Sequence, residues 1–166
     1  MLSATTNYAI RALAYLASID GDHNADSSEI SEAVGVPRNF LLKILNRLRG
    51  QGILKALRGI GGGFWYAKPA KTVTLYDIVE IFEDMERLAG CVMGVAHCPA
   101  SEPCPIHDEW VEMHQRFIGF LKNTTFESFR GQRMSGHFPL PEKEMLVTGK
   151  NGKENSEDWK AEAFSP

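Results

Sequence analysis

The 166-residue sequence predicts a mainly α-helical fold carrying one small β-hairpin, and three observations predict it. Apolar residues recur at three- and four-residue intervals over several stretches. Two short runs rich in aromatic and β-branched residues flank Gly59-Ile60-Gly61-Gly62-Gly63. Residues 91 to 105 break both patterns, holding all three cysteines and three prolines in what must be an irregular loop.

From Thr5 to Ile19, Ala9, Ala12, Leu13 and Leu16 form one face of an amphipathic helix. After the turn-rich Gly21-Asp22-His23-Asn24, the run Asp26-Ser27-Ser28-Glu29 has capping-box spacing. Asp26 is expected to accept from first-turn N–H groups while Glu29 reaches back, opening a second helix that runs to about Val34. Gly35 suits the left-handed end of that helix, and Pro37 suits the first turn of a third. The third helix turns Phe40, Leu41, Ile44, Leu45 and Leu48 inward and stops near Gly50-Gln51-Gly52. Two short helices joined at so tight a turn make a helix-turn-helix pattern. Arg38, Asn39, Lys43 and Arg47 are left on its outer face, and Ser28 at the start of the second helix joins them as a candidate DNA contact. Any helical hairpin with a charged outer face would look the same so far.

The following residues narrow the choice. Ile53 to Arg58 and Phe64 to Ala67 read as two strands with a glycine-rich tip between them, the wing of a winged helix-turn-helix. Gly61, Gly62 and Gly63 would let backbone N–H groups approach phosphates, and Arg58 at the base of the tip is placed to enter a minor groove. A nucleotide-binding loop would be followed by a helix opening on Lys-Ser or Lys-Thr, whereas an aromatic strand follows here.

Thr74-Leu75-Tyr76-Asp77 is a second capping box, starting a helix through Ile78, Val79, Ile81 and Phe82 to about Met85. From Ile106, the stripe Trp110, Met113, Phe117, Phe120 and Leu121 marks a long C-terminal helix too apolar on one side to face water. It is expected to be a dimerisation helix, since two-fold operators need a homodimer. Residues 1–72 are thus assigned as the DNA-binding domain, 73–130 as a cysteine-loop and dimerisation region, and 131–166 as a disordered tail rich in Gly, Pro, Lys and Glu.

The net charge of -3 conceals an uneven distribution. Residues 1 to 72 hold nine basic and five acidic side chains, a net +4, which leaves -7 for the remainder. From Arg38 through Lys71 there are eight basic residues and no acid, a local field suited to a polyanion, with a solvated basic face as the alternative; the helix-turn-helix and wing make double-stranded DNA the expected partner. No stretch approaches the roughly 18 consecutive apolar residues of a membrane span, and the N-terminus lacks a basic segment followed by an apolar one, so a cytoplasmic protein is expected. No acid–base pair, nucleophile constellation or cofactor motif of an enzyme is found.

Six residues separate Cys91 from Cys98, five separate Cys98 from Cys104, and two separate Cys104 from His107. Thiolates select zinc, copper or iron-sulfur clusters, and imidazole completes a zinc or a two-iron, two-sulfur site. Zinc knuckles commonly pair cysteines two residues apart. The longer gaps here fit a loop wrapped around a larger object, while zinc and redox-active or merely buried thiols stay open as alternatives. His23, His114 and His137 are read as ordinary polar residues, and His97 as a secondary candidate behind His107.

Tyr8-Ala9-Ile10-Arg11-Ala12-Leu13, the helix-turn-helix, Arg58-Gly59-Ile60-Gly61-Gly62-Gly63-Phe64 and the cysteine loop together resemble the Rrf-type family of regulators, from Met1 to about Phe129. The resemblance implies a homodimeric winged-helix repressor or dual regulator whose DNA affinity responds to iron-sulfur status, redox stress or nitric oxide. It also implies that Cys91, Cys98 and Cys104 hold an iron-sulfur cluster, two-iron, two-sulfur in the first instance and four-iron, four-sulfur as the alternative. His107 matches the fourth ligand of IscR-like members. Asn7 stands where nitric-oxide-sensing members carry an Asp that reaches the cluster, so that Asn7 from a partner subunit is the alternative fourth ligand, and its uncharged amide favours His107 in that role. The first cysteine gap is one residue longer than in IscR. Two rival classes accompany this reading: a cluster-free winged-helix regulator using zinc or thiol redox chemistry, and a small metalloprotein with an electron-transfer role.

Overall fold

The computed structural model describes residues 2–19, 24–95 and 104–132. The elements are α1 (Ala4–Ser18), α2 (Ser27–Val34), α3 (Arg38–Gly50), β1 (Leu54–Leu57), β2 (Gly63–Tyr66), α4 (Leu75–Phe82), α5 (Met85–Ala89) and α6 (His107–Asn123). Single 3-10 turns at Ala70–Thr72 and Phe126–Phe129 complete them. The expected mainly helical winged helix-turn-helix is what the chain forms.

The centre of the molecule is α1, which touches α2, α3, α4, β2 and the Phe126–Phe129 turn. Ala9, Ala12 and Leu13 are fully buried along it, and the two alanines let neighbouring elements approach the helix backbone closely. Asp26 caps α2 as expected, accepting from Ser28 N at 2.6 Å and Glu29 N at 3.0 Å. The reciprocal half of that box is not made. The Glu29 carboxylate instead accepts from Tyr15 Oη at 2.7 Å, joining α2 to α1. Burial, reinforced by this bond, pushes the Tyr15 phenol up to about 12.

Gly35 ends α2 with φ of 67°, in the left-handed region that a Cβ disfavours. Pro37 is the cap residue before α3, one position earlier than the first turn expected for it. Leu41, Ile44, Leu45 and Leu48 are buried, but Phe40 remains 38% exposed, its ring meeting Tyr8 edge-on at 5.9 Å. The inward assignment of Phe40 is therefore corrected: it lies between the buried face of α3 and the outer one.

The hairpin pairs Leu54 with Tyr66 through Leu57 with Gly63; β1 is shorter than the run that predicted it, and β2 begins one residue earlier than expected. Ala25 adds a third line, exchanging both backbone hydrogen bonds with Phe64 at 3.1 and 2.8 Å. Thr74 and Asp77 complete their capping box at 2.8 and 3.2 Å. The single helix expected through Met85 is two: α4 stops at Phe82, Glu83 is extended, and Asp84 caps the short α5.

One continuous core spans the expected boundary at residue 72, with Leu13, Ile30 and Leu45 in the same cluster as Ile78, Val79, Leu121 and Phe126. The C-terminal end of α6 is pinned to it. Leu75 N donates to Thr124 O at 2.9 Å, and Phe126 N donates to Val73 O at 3.1 Å. The rest of α6 is different: Leu121 is its one buried residue, and Met113 and Phe120 are 49% and 55% exposed. No helix of the described residues is long and apolar enough to cross a membrane. All but the first two residues of the 131–166 tail fall outside the described residues.

Candidate nucleic-acid interface and cysteine pocket

The starts of α2 and α3 lie side by side, because Arg38 Nε donates to Ser27 Oγ at 2.9 Å. Ser28, Arg38, Asn39 and Lys43 are all exposed. No side chain caps α3, which leaves its first-turn N–H groups without a side-chain acceptor at the positive end of the helix. Asp26 at the neighbouring cap is held below the usual carboxylate range, chiefly by the backbone N–H groups of Glu29 and Ser28.

Arg47 has a different environment. Its guanidinium lies 4.8 Å from the centre of the Phe82 ring and donates to the carbonyl of Ile81, at the end of α4. Of the four outer-face residues expected on α3, Arg38 is bound to the start of α2 and Arg47 to the end of α4.

At the wing, Arg58 is exposed at the end of β1, and Ile60 projects fully into solvent between Gly59 and Gly61. Asn24 Nδ2 donates to Gly61 O at 2.7 Å and braces the tip, a contact between separate segments that no local pattern announces. Gly62 and Gly63 answer first to the wing's own packing. A Cβ on Gly62 would run into the Leu57 carbonyl, and one on Gly63 would lie 2.6 Å from the Ala25 carbonyl oxygen.

Cys91 directly follows Gly90, the cap that closes α5, and Cys104 sits one turn ahead of α6, its carbonyl accepting from His107 N at 3.0 Å. Cys91, Cys104 and His107 line one pocket of about 200 Å³, walled by Val92, Val95, Trp110 and Val111. Both cysteines are half-buried. Cys98 and His97 lie outside the described residues, and among the described residues no three His, Cys, Asp or Glu side chains cluster as a metal-ligand set. Trp110 Nε1 donates to Gly90 O at 3.1 Å, tying α6 to the residue before Cys91. Asn7 is exposed on α1 and does not line this pocket.

Cys91 also borders a larger hollow of about 720 Å³, shared with Glu83, Arg87, Trp110, His114 and Phe117. His114 Nε2 is buried there with no hydrogen-bond partner among the described residues, a condition that buried polar atoms seldom tolerate. The sequence reads His114 as an ordinary polar residue; the burial of its Nε2 singles it out.

A helix-turn-helix followed by a wing, with a cysteine pocket against a long exposed helix, defines a winged-helix regulator. The chain belongs to the Rrf2 family of transcriptional regulators, whose model, described as iron-dependent transcriptional regulator, matches residues 2–130. It is 32% identical to a protein of Aquifex aeolicus assigned by name to the HTH-type transcriptional regulators, over 84% of this chain and 98% of that one. It is 33% identical to protein aau3 of Rhizobium meliloti, over 84% of this chain and 90% of that one. Among solved structures it is similar to CymR, the global cysteine regulator of B. subtilis, with a TM-score of 0.63 at 21% identity, covering 76% of this chain and 93% of that one. T. potens IscR gives 0.60 at 20% identity, covering 76% and 82%. At these identities the two structures establish the shared fold.

Proposed function

We propose that this chain is a homodimeric, operator-binding regulator whose DNA affinity is set by an iron-sulfur cluster held by Cys91, Cys98, Cys104 and His107. The observation that carries the reading is the convergence of Cys91, Cys104 and His107 on one pocket although they come from two separate segments. Two soft thiolates and an imidazole in an apolar shell fit such a group, and His114 Nε2, which lines the same hollow as Cys91 and has no hydrogen-bond partner among the described residues, marks a polar demand there. When bound, the cluster supplies an oxidant- and nitric-oxide-labile centre joining the ligating side chains.

Everything else follows from the chain's own residues. Ser28, Arg38, Asn39 and Lys43 form the reading face, with the uncapped start of α3 presenting N–H groups to a phosphate. Arg58 carries the wing's charge toward the minor groove. Trp110 holds α6 to Gly90, so a change in how the loop between Cys91 and Cys104 is held is passed to α6 and hence to the partner subunit. A coupling of about 1–3 kcal/mol between the two sites would regulate affinity roughly 5- to 150-fold.

The test is anaerobic purification followed by visible spectroscopy, iron and sulfide analysis, and operator titration of wild type against a variant with all three cysteines replaced by serine. Brown protein with iron and sulfide, losing both colour and regulated affinity in the variant, is expected. Colourless protein with one zinc per chain, or a variant indistinguishable from wild type in metal content and affinity, overturns the cluster.

A further inference from the structure

We infer that Arg47 is a positioning residue and not a DNA contact: it fastens the end of the recognition helix α3 to the segment 81–91, which leads without interruption to the cysteine pocket. This deepens the functional reading above and rests on it for its regulatory half.

The argument starts from what α4 lacks. The last four carbonyls of a helix have no intrahelical donor, and Ile81 O is one of them in α4. Arg47 supplies that donor from the final turn of α3, while its guanidinium face stacks on Phe82. A planar fork engaged at once by a carbonyl and a ring is committed in orientation. Lys43, one turn earlier on the same side of α3, is exposed and has no such attachment.

The residues after Phe82 are fastened in turn. The Glu83 carboxylate accepts from Ser3 N at 2.7 Å and from Thr6 Oγ1, at the start of α1. Asp84 caps α5 through Arg87 N at 3.1 Å. Gly90 O receives Trp110 Nε1, and Cys91 follows. Three attachments between Ile81 and Gly90 thus join this segment, with α5 capped inside it, to the recognition helix, the central helix α1 and the dimer-facing helix α6. A segment so held moves as a unit, and Arg47 is its only attachment to α3 through a side-chain hydrogen bond among the described residues.

The experiment uses the full-length protein and a duplex recovered by selection from a random pool. Affinity is measured over a range of NaCl for wild type, Lys43→Met, Arg47→Met and Phe82→Leu, each with its iron-sulfur cluster loaded and each metal-stripped, with melting temperatures recorded to establish that every variant is folded. A side chain that neutralises a phosphate contributes about 0.9 to the slope of log affinity on log salt. Lys43→Met is expected to lose about that much slope and to keep the ratio between loaded and stripped affinities. Arg47→Met is expected to keep the wild-type slope while that ratio shrinks at least threefold, and Phe82→Leu, remote from the reading face, is expected to do the same. The inference is overturned if Arg47→Met loses slope as Lys43→Met does, or if the ratio survives in both Arg47→Met and Phe82→Leu. A wild-type ratio of one would refute regulation by the cluster and the coupling role with it, while the salt slope would still decide whether Arg47 touches phosphate.

Discussion

Gly63 and Arg58 stand five residues apart in the wing and fail in opposite ways when changed. A methyl group on Gly63 would meet the Ala25 carbonyl in a buried backbone pairing that cannot shift without breaking. Gly63→Ala is therefore expected to lower unfolding free energy by about 1–3 kcal/mol in urea titration. Arg58 is exposed and makes no contribution to the core. Arg58→Ala should leave the urea midpoint unmoved and weaken operator binding about tenfold in gel-shift titration, as expected for a lost groove contact of about 1–3 kcal/mol; unchanged affinity would remove the wing from the reading head. The glycine run was visible in the sequence, but its division of labour was not. Gly62 and Gly63 are small because Leu57 and Ala25 lie against them, and Ala25 is almost forty residues away along the chain.

Between elements, the extended Glu83 is the joint of the molecule, because its carboxylate sits on the first turn of α1 where helix N–H groups and Thr6 can meet it. Burial alone would raise its pKa. The hydrogen bonds from Thr6 and Ser3 outweigh that and hold the carboxyl below the usual carboxylate range. A lowered folded value means that the native state binds the proton less readily than the unfolded chain. The stabilisation is thus complete above the ordinary carboxylate range and fades as the pH falls through the lowered value. Glu83→Gln should cost about 1 kcal/mol at neutral pH and flatten the acid limb of the melting-temperature profile. An acid limb identical to wild type would show that α4 and α1 are not joined through this carboxylate. Sequence periodicity ran through Glu83 and Asp84 as one helix to Met85, since neither residue interrupts an apolar repeat. The break exists because Glu83 and Asp84 find better partners at the starts of α1 and α5.

On the scale of the whole molecule, α6 is fastened at its C-terminal end by Leu121 and the Thr74–Thr125 pairing, while Met113 in its middle and Phe120 in its last turn stand exposed. The helix rises about 25 Å, enough to present that stripe to a second copy. Phe120→Glu is expected to reduce the mass seen by light scattering from twice 18.5 kDa to a single chain and to weaken operator binding with it. Retention of the doubled mass would place the dimer contact elsewhere.

The sequence by itself determined the helix-turn-helix, the wing, the capping boxes' positions and the candidate ligands, because caps, glycines and apolar repeats act within a few residues of one another. It was equally sufficient to separate a basic reading half from an acidic remainder. The tertiary structure alone decided that Glu29 serves Tyr15, that Arg47 serves Ile81 and Phe82, that His114 Nε2 is buried without a hydrogen-bond partner among the described residues, and that the halves on either side of residue 72 share one core. Each of those outcomes is a competition for a polar or apolar partner between segments far apart in the chain, and such a competition is settled only when the helices pack.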